Sequence, residues 1–186
     1  MKTGATSTDS SGSDEALVEL ARDGNSRAYR MLVQRHLSSV YGLGTRWSGS
    51  TRVGGQVAKS VFCEAYESYL DSEDGAKISD LALAGRGTFS SHLYRVTAEA
   101  LLKTGAEAFH DIEPSERPSG QLQEALSAID EQFRMIVLLR DMCGLTLRDL
   151  AEVLGLTSGA VRSRLSRARS ALSREVSVRA SLTDVL

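Results

Sequence analysis

The chain has 186 residues, 41% of them hydrophobic and two of them proline, with a formal net charge of −2 at pH 7. This length and composition suit one or two small helical domains, and no apolar run approaches the roughly 18 to 20 residues that span a bilayer. A nearly neutral chain also excludes nucleic-acid binding through overall positive charge, so such binding would need a local basic cluster.

The N-terminal part of the chain predicts a short lead-in followed by four helices. Residues 1–13 are rich in Ser, Thr and Gly, which predicts a disordered segment and not a secretory signal. A first domain is predicted over residues 14–104, with a polar connection at 71–87. Its helices are indicated by apolar residues at helical spacing: Leu17, Leu20 and Ala21; Tyr29, Leu32, Val33, His36, Leu37, Val40 and Tyr41; Val57, Val61, Phe62, Ala65 and Tyr69; Phe89, Leu93, Val96, Ala100 and Leu101. The first helix is predicted to end near Gly24, and Asn25 or Ser26 can cap the second.

The rest of the chain predicts a linker and a second helical domain. Residues 105–120 lose the helical period and contain two prolines and several acids, which predicts a flexible linker. The second domain is predicted over 121–178, with a C-terminal tail at 179–186. Its first two helices are indicated by Leu122, Ala125, Leu126 and Ile129, and by Phe133, Ile136, Val137 and Arg140. With two more helices they would form a small four-helix domain, so the sequence predicts an all-α fold of two small helical domains.

The segment from Gly144 to Leu165 predicts a helix-turn-helix. Ala151 lets two helices approach closely, Gly155 can adopt a left-handed turn conformation, and Val161 fills the angle between the helices. Capping residues agree with this interpretation. Thr146 with Asp149 resembles a capping box, and Thr157 can cap the second helix, as these residues stand in the sequence.

The second helix of this unit predicts one buried face and one basic face. The buried face is a stripe of apolar residues at steps of three and four: Val161, Leu165, Ala168, Leu172 and Val176. Between Gly159 and Arg179 there are six arginines and one acid, Glu175, a local net charge of about +5. Arginine and serine side chains on the opposite face suit phosphates and base edges. The alternative is a solvated face whose arginines pair with nearby acids.

Neither catalysis nor a cofactor is predicted. Cys63 and Cys143 are far apart and outside any paired metal or redox spacing, which favours two buried thiols in a reducing cytoplasm over a disulfide. No nucleophile and base pairing or phosphate-binding glycine motif is present. Four residues lack the close spacing of a metal site: His36, His92, His110 and Cys63. The acids Asp71, Glu73 and Asp74 lie in a glycine-containing loop, which is typical of a solvated turn and not of a catalytic group. His36 is predicted to be a hydrogen-bonded core residue, and Trp47 and Tyr69 suit either an interface or the core.

The chain resembles the extracytoplasmic-function (ECF) group of bacterial RNA polymerase sigma factors. The stretch "AIDEQFRMIVLLRDMCGLTLRDLAEVLGLTSGAVRSRLSRARSAL" is similar to the fourth conserved region of that family, which reads the upstream (−35) promoter element. The stretches "ALVELARDGNSRAYRMLVQRHLSSVYGLGTRW" and "FSSHLYRVTAEALL" are similar to its second region, which binds polymerase and melts DNA.

This resemblance implies a cytoplasmic, non-enzymatic protein that needs no cofactor. Its implied partners are promoter DNA and core RNA polymerase, with no membrane contact, and the resemblance leaves open whether an anti-sigma factor is a third partner. DNA would be bound by Arg148, Thr157, Ser158, Arg162, Ser163, Ser166 and Arg167. Polymerase would be bound by the helix Val53 to Leu70. The residues implied in that contact are Arg52, just before this range, and Gln56, Lys59, Val61 and Phe62 within it.

The chain departs from the family pattern in the first domain. Gly55, Gln56 and Lys59 stand where the family usually has acids and a glutamine. The pair Gly54 and Gly55 would weaken the helix by about 1 kcal/mol per glycine relative to alanine.

The stretch "FSSHLYRVTAEALL", which is similar to the part of the family that melts DNA, also departs from the family pattern. His92 stands where the family usually has a tryptophan, and Glu99 where it usually has an asparagine. Two readings follow: a divergent but working sigma factor, or a sigma-derived regulator or anti-sigma partner that reads DNA but no longer melts it.

Overall fold

A computed structural model describes residues 12–69, 88–104 and 120–183 of the chain. These residues form helices and contain no strand, which confirms the predicted all-α fold. The helices of the first domain are α1 (Asp14–Arg22), α2 (Ser26–Ser48), α3 (Thr51–Tyr69) and α4 (Phe89–Thr104). Those of the second domain are α5 (Gln121–Ala128), α6 (Glu131–Val137), α7 (Leu147–Val153) and α8 (Ser158–Thr183), and α6 continues into a π-helical turn, Leu138–Met142. None of these described helices has the length and apolar character needed to cross a membrane.

Two predicted boundaries can be compared with the helix ends. Asn25, and not Ser26, caps α2, because its side-chain oxygen accepts hydrogen bonds from the backbone N–H groups of Arg27 and Ala28. Helix α8 continues to Thr183, through the first five residues of the segment that the sequence sets apart as a C-terminal tail. Arg179 stabilises this extension through an ion pair with Glu175 one turn earlier, at 2.6 Å. The predicted connection at 71–87 and all of the predicted linker except Gly120 lie outside the described residues.

The core of the first domain is formed where α2 packs between α1, α3 and α4. Leu32 and Val40 of α2 and Leu93 of α4 are completely buried, as the predicted stripes require. Three members of those stripes, Leu20, Leu37 and Tyr41, are instead 38 to 47% exposed. Helical spacing places a residue on the apolar side of its helix, but only the packing of neighbouring helices decides how far the buried zone extends.

The structure shows whether His36 and Trp47 are buried and which residues they contact. His36 Nε2 and Asp14 Oδ2 form a hydrogen bond of 2.6 Å, and the His36 ring lies beside Phe89. The predicted hydrogen bond of His36 is therefore confirmed, while its side chain is partly and not completely buried. Trp47 is 1% exposed and belongs to the core. The side chain of Tyr69 and all of His110, Asp71, Glu73 and Asp74 lie outside the described residues.

The prediction of two buried thiols is wrong for one of them. Cys63 lies on the solvent-exposed side of α3, next to the buried Phe62, because the buried stripe of that helix does not include position 63. Cys143 is partly buried where the two domains meet, and burial raises the pKa of its thiol to about 12. Both thiols are free.

A glycine contact sets the distance between α2 and α3. A Cβ atom on Gly44 would lie 3.0 Å from the Cα of Gly54. A Cβ on Gly54 would lie 2.1 Å from Thr45 Oγ1 and 2.8 Å from the carbonyl oxygen of Tyr41. A Cβ on the neighbouring Gly55 would meet nothing within 4 Å. The two glycines therefore differ: Gly54 permits the close approach of the helices, whereas Gly55 only weakens its helix.

Substitution of Gly54 and of Gly55 by alanine should change the free energy of unfolding in opposite directions. We expect Gly54→Ala to lower the free energy of unfolding by about 2 kcal/mol, because the new methyl group overlaps α2. We expect Gly55→Ala to raise it by up to about 1 kcal/mol, because an exposed helical glycine is replaced by a better helix former. Urea denaturation measures both values. Equal stability of the two variants would contradict this account of the helix contact.

Candidate nucleic-acid interface

The corner between α7 and α8 has the geometry that the sequence predicted. Gly155 has φ +62°, in the left-handed region that favours glycine. The backbone N–H of Gly155 donates to the carbonyl of Glu152 and that of Leu156 to the carbonyl of Ala151, at 3.3 and 2.9 Å. These are the two hydrogen bonds of a Schellman motif, which ends α7 and turns the chain sharply. A helix-turn-helix is therefore present.

The predicted caps fix where both helices begin. Thr146 Oγ1 accepts from the N–H of Asp149 at 3.2 Å, and Asp149 Oδ2 accepts from the N–H of Thr146 at 2.8 Å, so the capping box is confirmed. Thr157 Oγ1 accepts from the N–H of Ala160 at 3.2 Å, at the start of α8. Each cap also provides an acceptor for a backbone N–H group that has no partner within its helix. The two caps therefore fix the first residues of α7 and α8.

The apolar stripe of α8 determines which of its faces is free. Val161 and Ala168 are fully buried and Leu165 is 6% exposed, against α6 and α7. Leu172 and Val176, farther along α8, are half-buried. Because these residues face inward, the opposite side of the helix faces solvent.

All seven residues predicted to bind DNA are exposed: Arg148, Thr157, Ser158, Arg162, Ser163, Ser166 and Arg167. Four of them lie along α8, two lie at its N-terminal end, and Arg148 lies in the first turn of α7. We call this set the basic face. Among the residues that the structure describes, no carboxylate forms an ion pair with Arg162 or Arg167. This observation favours a binding surface over the alternative of arginines that are paired with the protein's own acids.

A shallow cleft of about 460 Å³ lies beside the basic face. Its polar lining comes from Arg140, Arg162, Ser166, Arg169 and Ser170. Helical spacing in the sequence places Arg140 on the apolar side of its helix. The π-helical turn at Leu138–Met142 shifts the register there, and the Arg140 guanidinium instead donates to the carbonyl of Leu145. No periodic pattern in the sequence signals such a turn.

Arg169 at the edge of the cleft has an acidic partner. Its Nη2 lies 2.5 Å from Asp141 Oδ1, and this hydrogen bond raises the pKa of the Arg169 guanidinium. Both side chains are about half exposed. Asp141 therefore neutralises one positive charge at the rim of the cleft.

The residues predicted to bind polymerase fall into two groups on α3. Arg52, Gln56 and Lys59 are exposed and can contact another molecule. Val61 and Phe62 are 0 and 7% exposed. A direct contact through these two is contradicted by their burial, because their side chains pack in the core and hold α3 in place.

On α4, the two residues that depart from the family pattern are joined by an arginine. Arg95 Nη1 donates to Glu99 Oε1 at 2.9 Å, and Arg95 Nη2 lies 3.1 Å from His92 Nδ1. Burial, followed by the charge of Arg95, lowers the pKa of His92. The carboxylate of Glu99 is thus offset by a neighbouring positive charge.

Comparison with known proteins gives a consistent result. Residues 119–172 match the family model described as "Sigma-70, region 4". The chain is 30% identical over 176 residues to the RNA polymerase sigma-H factor of Pseudomonas aeruginosa, covering 86% of this chain and 91% of that protein. It is 28% identical over 181 residues to the ECF RNA polymerase sigma-E factor of Escherichia coli K12, covering 88% and 94%.

Two solved structures have a similar fold. CnrH in complex with the cytosolic domain of CnrY has a TM-score of 0.69 and 22% identity, covering 90% of this chain and 99% of that one. The sigma factor RpoE in complex with the anti-sigma factor NepR, from Bartonella quintana, has a TM-score of 0.59 and 17% identity, covering 81% and 97%.

Replacing Asp141 with Asn should strengthen DNA binding. The change removes a negative charge beside the basic face and frees Arg169 for a phosphate, so we expect roughly threefold tighter binding at low salt and a steeper salt dependence. Titration of a labelled duplex at several salt concentrations measures both. Asp23→Asn is the matched control, since it removes the same charge from an exposed site at the end of α1. Equal affinities of the two variants would contradict a local effect.

Proposed function

Since the chain belongs to the ECF group of RNA polymerase sigma factors, we propose that it binds core RNA polymerase and directs it to promoters through helix-turn-helix recognition of the −35 element. The observation that carries this proposal is the exposed, unpaired basic face, held outward by the corner at Gly155. The protein supplies recognition to an enzyme and catalyses no reaction itself. Its place of action is the bacterial cytoplasm, where promoter DNA and polymerase are found.

The basic face suits two kinds of DNA contact. An α-helix fits the major groove, and α8 would enter it from its N-terminal end, where Arg162, Ser163 and Arg167 reach base edges. A bidentate contact of arginine with guanine contributes about 1 to 3 kcal/mol of discrimination between bases. Arg148 on α7 would contact a phosphate, which adds affinity without sequence information and weakens with salt.

Polymerase binding is assigned to the exposed side of α3. Arg52, Gln56 and Lys59 lie on that side, and the buried Val61 and Phe62 fix its position. This surface is neutral to basic where the family usually has acids. We therefore infer that polymerase is contacted through hydrogen bonds and positive charge at these three positions.

An anti-sigma factor is the proposed regulatory partner. RpoE of Bartonella quintana, a protein of similar fold, is bound to the anti-sigma factor NepR in its solved structure. A protein of this kind would limit how much of the factor is available to polymerase.

The alternative is a sigma-derived regulator that binds DNA and no longer melts it. The observation in its favour is the loss of the usual aromatic residue at His92. Against it, Glu99 is paired with Arg95 and so does not oppose a DNA strand with a full negative charge. The working sigma factor is therefore the better supported function.

Two arginine variants separate base reading from phosphate binding. We expect Arg167→Ala to change which sequences are preferred, because a base contact is lost. We expect Arg148→Ala to weaken binding to all sequences by a similar factor and to reduce the salt slope by about one phosphate contact. Selection from a randomised duplex library, followed by salt titration, measures both effects. The control is Arg27→Ala, an exposed arginine on α2. Unchanged sequence preference in the Arg167 variant would remove it from the base-reading set.

Transcription with purified components tests the proposed function itself. The protein with core RNA polymerase should yield a specific run-off transcript from a promoter selected by its own DNA binding. Core polymerase alone is the control. Specific DNA binding without any stimulated transcript would establish the regulator instead.

A further inference from the structure

The cleft beside the basic face is lined by three arginines from two separate segments of the chain. Arg162 and Arg169 lie about two turns apart on one side of α8, and Arg140 lies in the π-helical turn before α7. Ser166 and Ser170 add hydroxyl groups from the same side of α8. Among the described residues that line the cleft, none is acidic. The lining therefore brings positive charge and hydroxyl groups together at one place on the surface.

Contacts within the protein hold two of these arginines in position. The half-buried Arg140 donates through its guanidinium to the carbonyl of Leu145. Arg169 donates through Nε and Nη2 to Asp141 at 3.3 and 2.5 Å, which leaves its Nη1 without a partner among the described residues. Since a guanidinium has five N–H donors, both side chains keep donors for a ligand. Because they are already ordered, binding an anion costs little further side-chain entropy.

The charge of the cleft suits a group with more than one negative charge. Its three guanidinium groups and the carboxylate of Asp141 at its rim leave a net charge of about +2. Each diester of a DNA backbone carries about −1, whereas a terminal phosphate carries about −1.5 to −2 at pH 7 and a diphosphate carries more. Guanidinium groups also form bidentate hydrogen bonds with phosphate oxygens. A diphosphate therefore fits these donors better than one backbone phosphate does.

The cleft also has an apolar part. Leu147 at the start of α7 is half-buried, and Leu165 of α8 is 6% exposed. Both line the cleft, whose volume of about 460 Å³ lies within the range of small-molecule sites, about 300 to 1,000 Å³. A phosphate gains nothing from an apolar surface, whereas a nucleobase is stabilised by packing on one. A nucleotide has a charged end and a flat ring, so it uses both parts of the lining.

The backbone before α7 is irregular at the residue that completes the cleft. Regular helical spacing places Arg140 on the apolar side of its helix, but the π-helical turn moves its guanidinium into the cleft. Turns of this kind are rare and frequently occur at functional sites. The DNA contacts assigned to the basic face do not include Arg140, so they do not explain why the chain carries this cation here.

We propose that this cleft binds a nucleoside diphosphate, held by Arg140, Arg162 and Arg169, in competition with promoter DNA. Arg162 and Ser166 belong both to the cleft and to the basic face, so a bound nucleotide occupies groups that DNA also needs. The competition rests on the proposed function, whereas the nucleotide site does not. Promoter affinity then falls as the nucleotide concentration rises.

Calorimetric titration of the full chain with three ligands tests the two parts of the site. We expect ADP to bind roughly tenfold more tightly than AMP, because the second phosphate adds charge-assisted hydrogen bonds. We expect ADP also to bind more tightly than inorganic pyrophosphate, because adenine packs on the two leucines. The titrations are made at low salt without divalent cations. Absence of ADP binding at millimolar concentration would overturn the proposal, and pyrophosphate binding as tightly as ADP would remove the nucleoside from it.

Two arginine variants distinguish the cleft from the general positive charge of α8. Arg162 and Arg167 are both exposed on α8 and form no ion pair with a described carboxylate, but only Arg162 lines the cleft. Arg162→Gln should lower the affinity for ADP roughly tenfold. Arg167→Gln should lower it by less than about twofold at physiological salt, because exposed charges outside the contact are screened. Equal losses in the two variants would show attraction by overall charge and overturn the cleft as a site.

Competition with a labelled duplex separates this site from the proposed function. ADP should weaken binding of the duplex selected by the protein, measured by fluorescence anisotropy, more than AMP does at matched ionic strength. If ADP binding depends on Arg162 but no duplex is bound specifically, the nucleotide site stands and the proposed function fails. If specific duplex binding is unchanged at saturating ADP, the competition is overturned while the proposed function stands.

Discussion

The left-handed turn at Gly155 is the constraint on which the binding surface depends. It lets α7 end in a Schellman motif and begin α8 at an angle that buries Val161 completely. Because Val161, Leu165 and Ala168 face inward, the helical period places the arginines and serines of the basic face on the solvent-exposed side of α8. The exposure of the basic face on α8 therefore depends on the backbone conformation at Gly155, which lies before this helix. A small change in that corner would rotate the whole basic face.

Charge in this protein is arranged locally and not globally. A chain with a net charge of −2 still presents a strongly basic helix, because its acids are placed elsewhere or paired. Asp141 holds Arg169 at the rim of the cleft, and Arg95 holds Glu99 on α4. Both pairs are exposed, so their contribution to stability is small. Their importance lies in the charges that they neutralise, one arginine at the rim of the cleft and one glutamate on α4.

The two domains are joined by polar contacts as well as apolar ones. Gln123 and Arg134 donate to carbonyls at the end of α2, and Arg134 also donates to the carbonyl of Ser127 in its own domain. Apolar contacts join the domains as well, since buried residues of both domains belong to one hydrophobic cluster. Inside the first domain, the contact between Gly44 and Gly54 sets the distance between α2 and α3.

The sequence by itself determined the elements whose signals are local. The capping box at Thr146, the turn at Gly155 and the stripe from Val161 to Ala168 all involve neighbours along one helix or turn, so spacing was enough to place them. It also selected seven residues of the basic face, each of which is exposed. Features that need two distant segments were decided only by tertiary structure. Spacing could not reveal that Gly54 serves a helix contact or that a π-helical turn carries Arg140 into the cleft. Nor could it show that Arg134 caps a helix 87 residues earlier, because a hydrogen bond between domains leaves no periodic trace in either of the segments that form it.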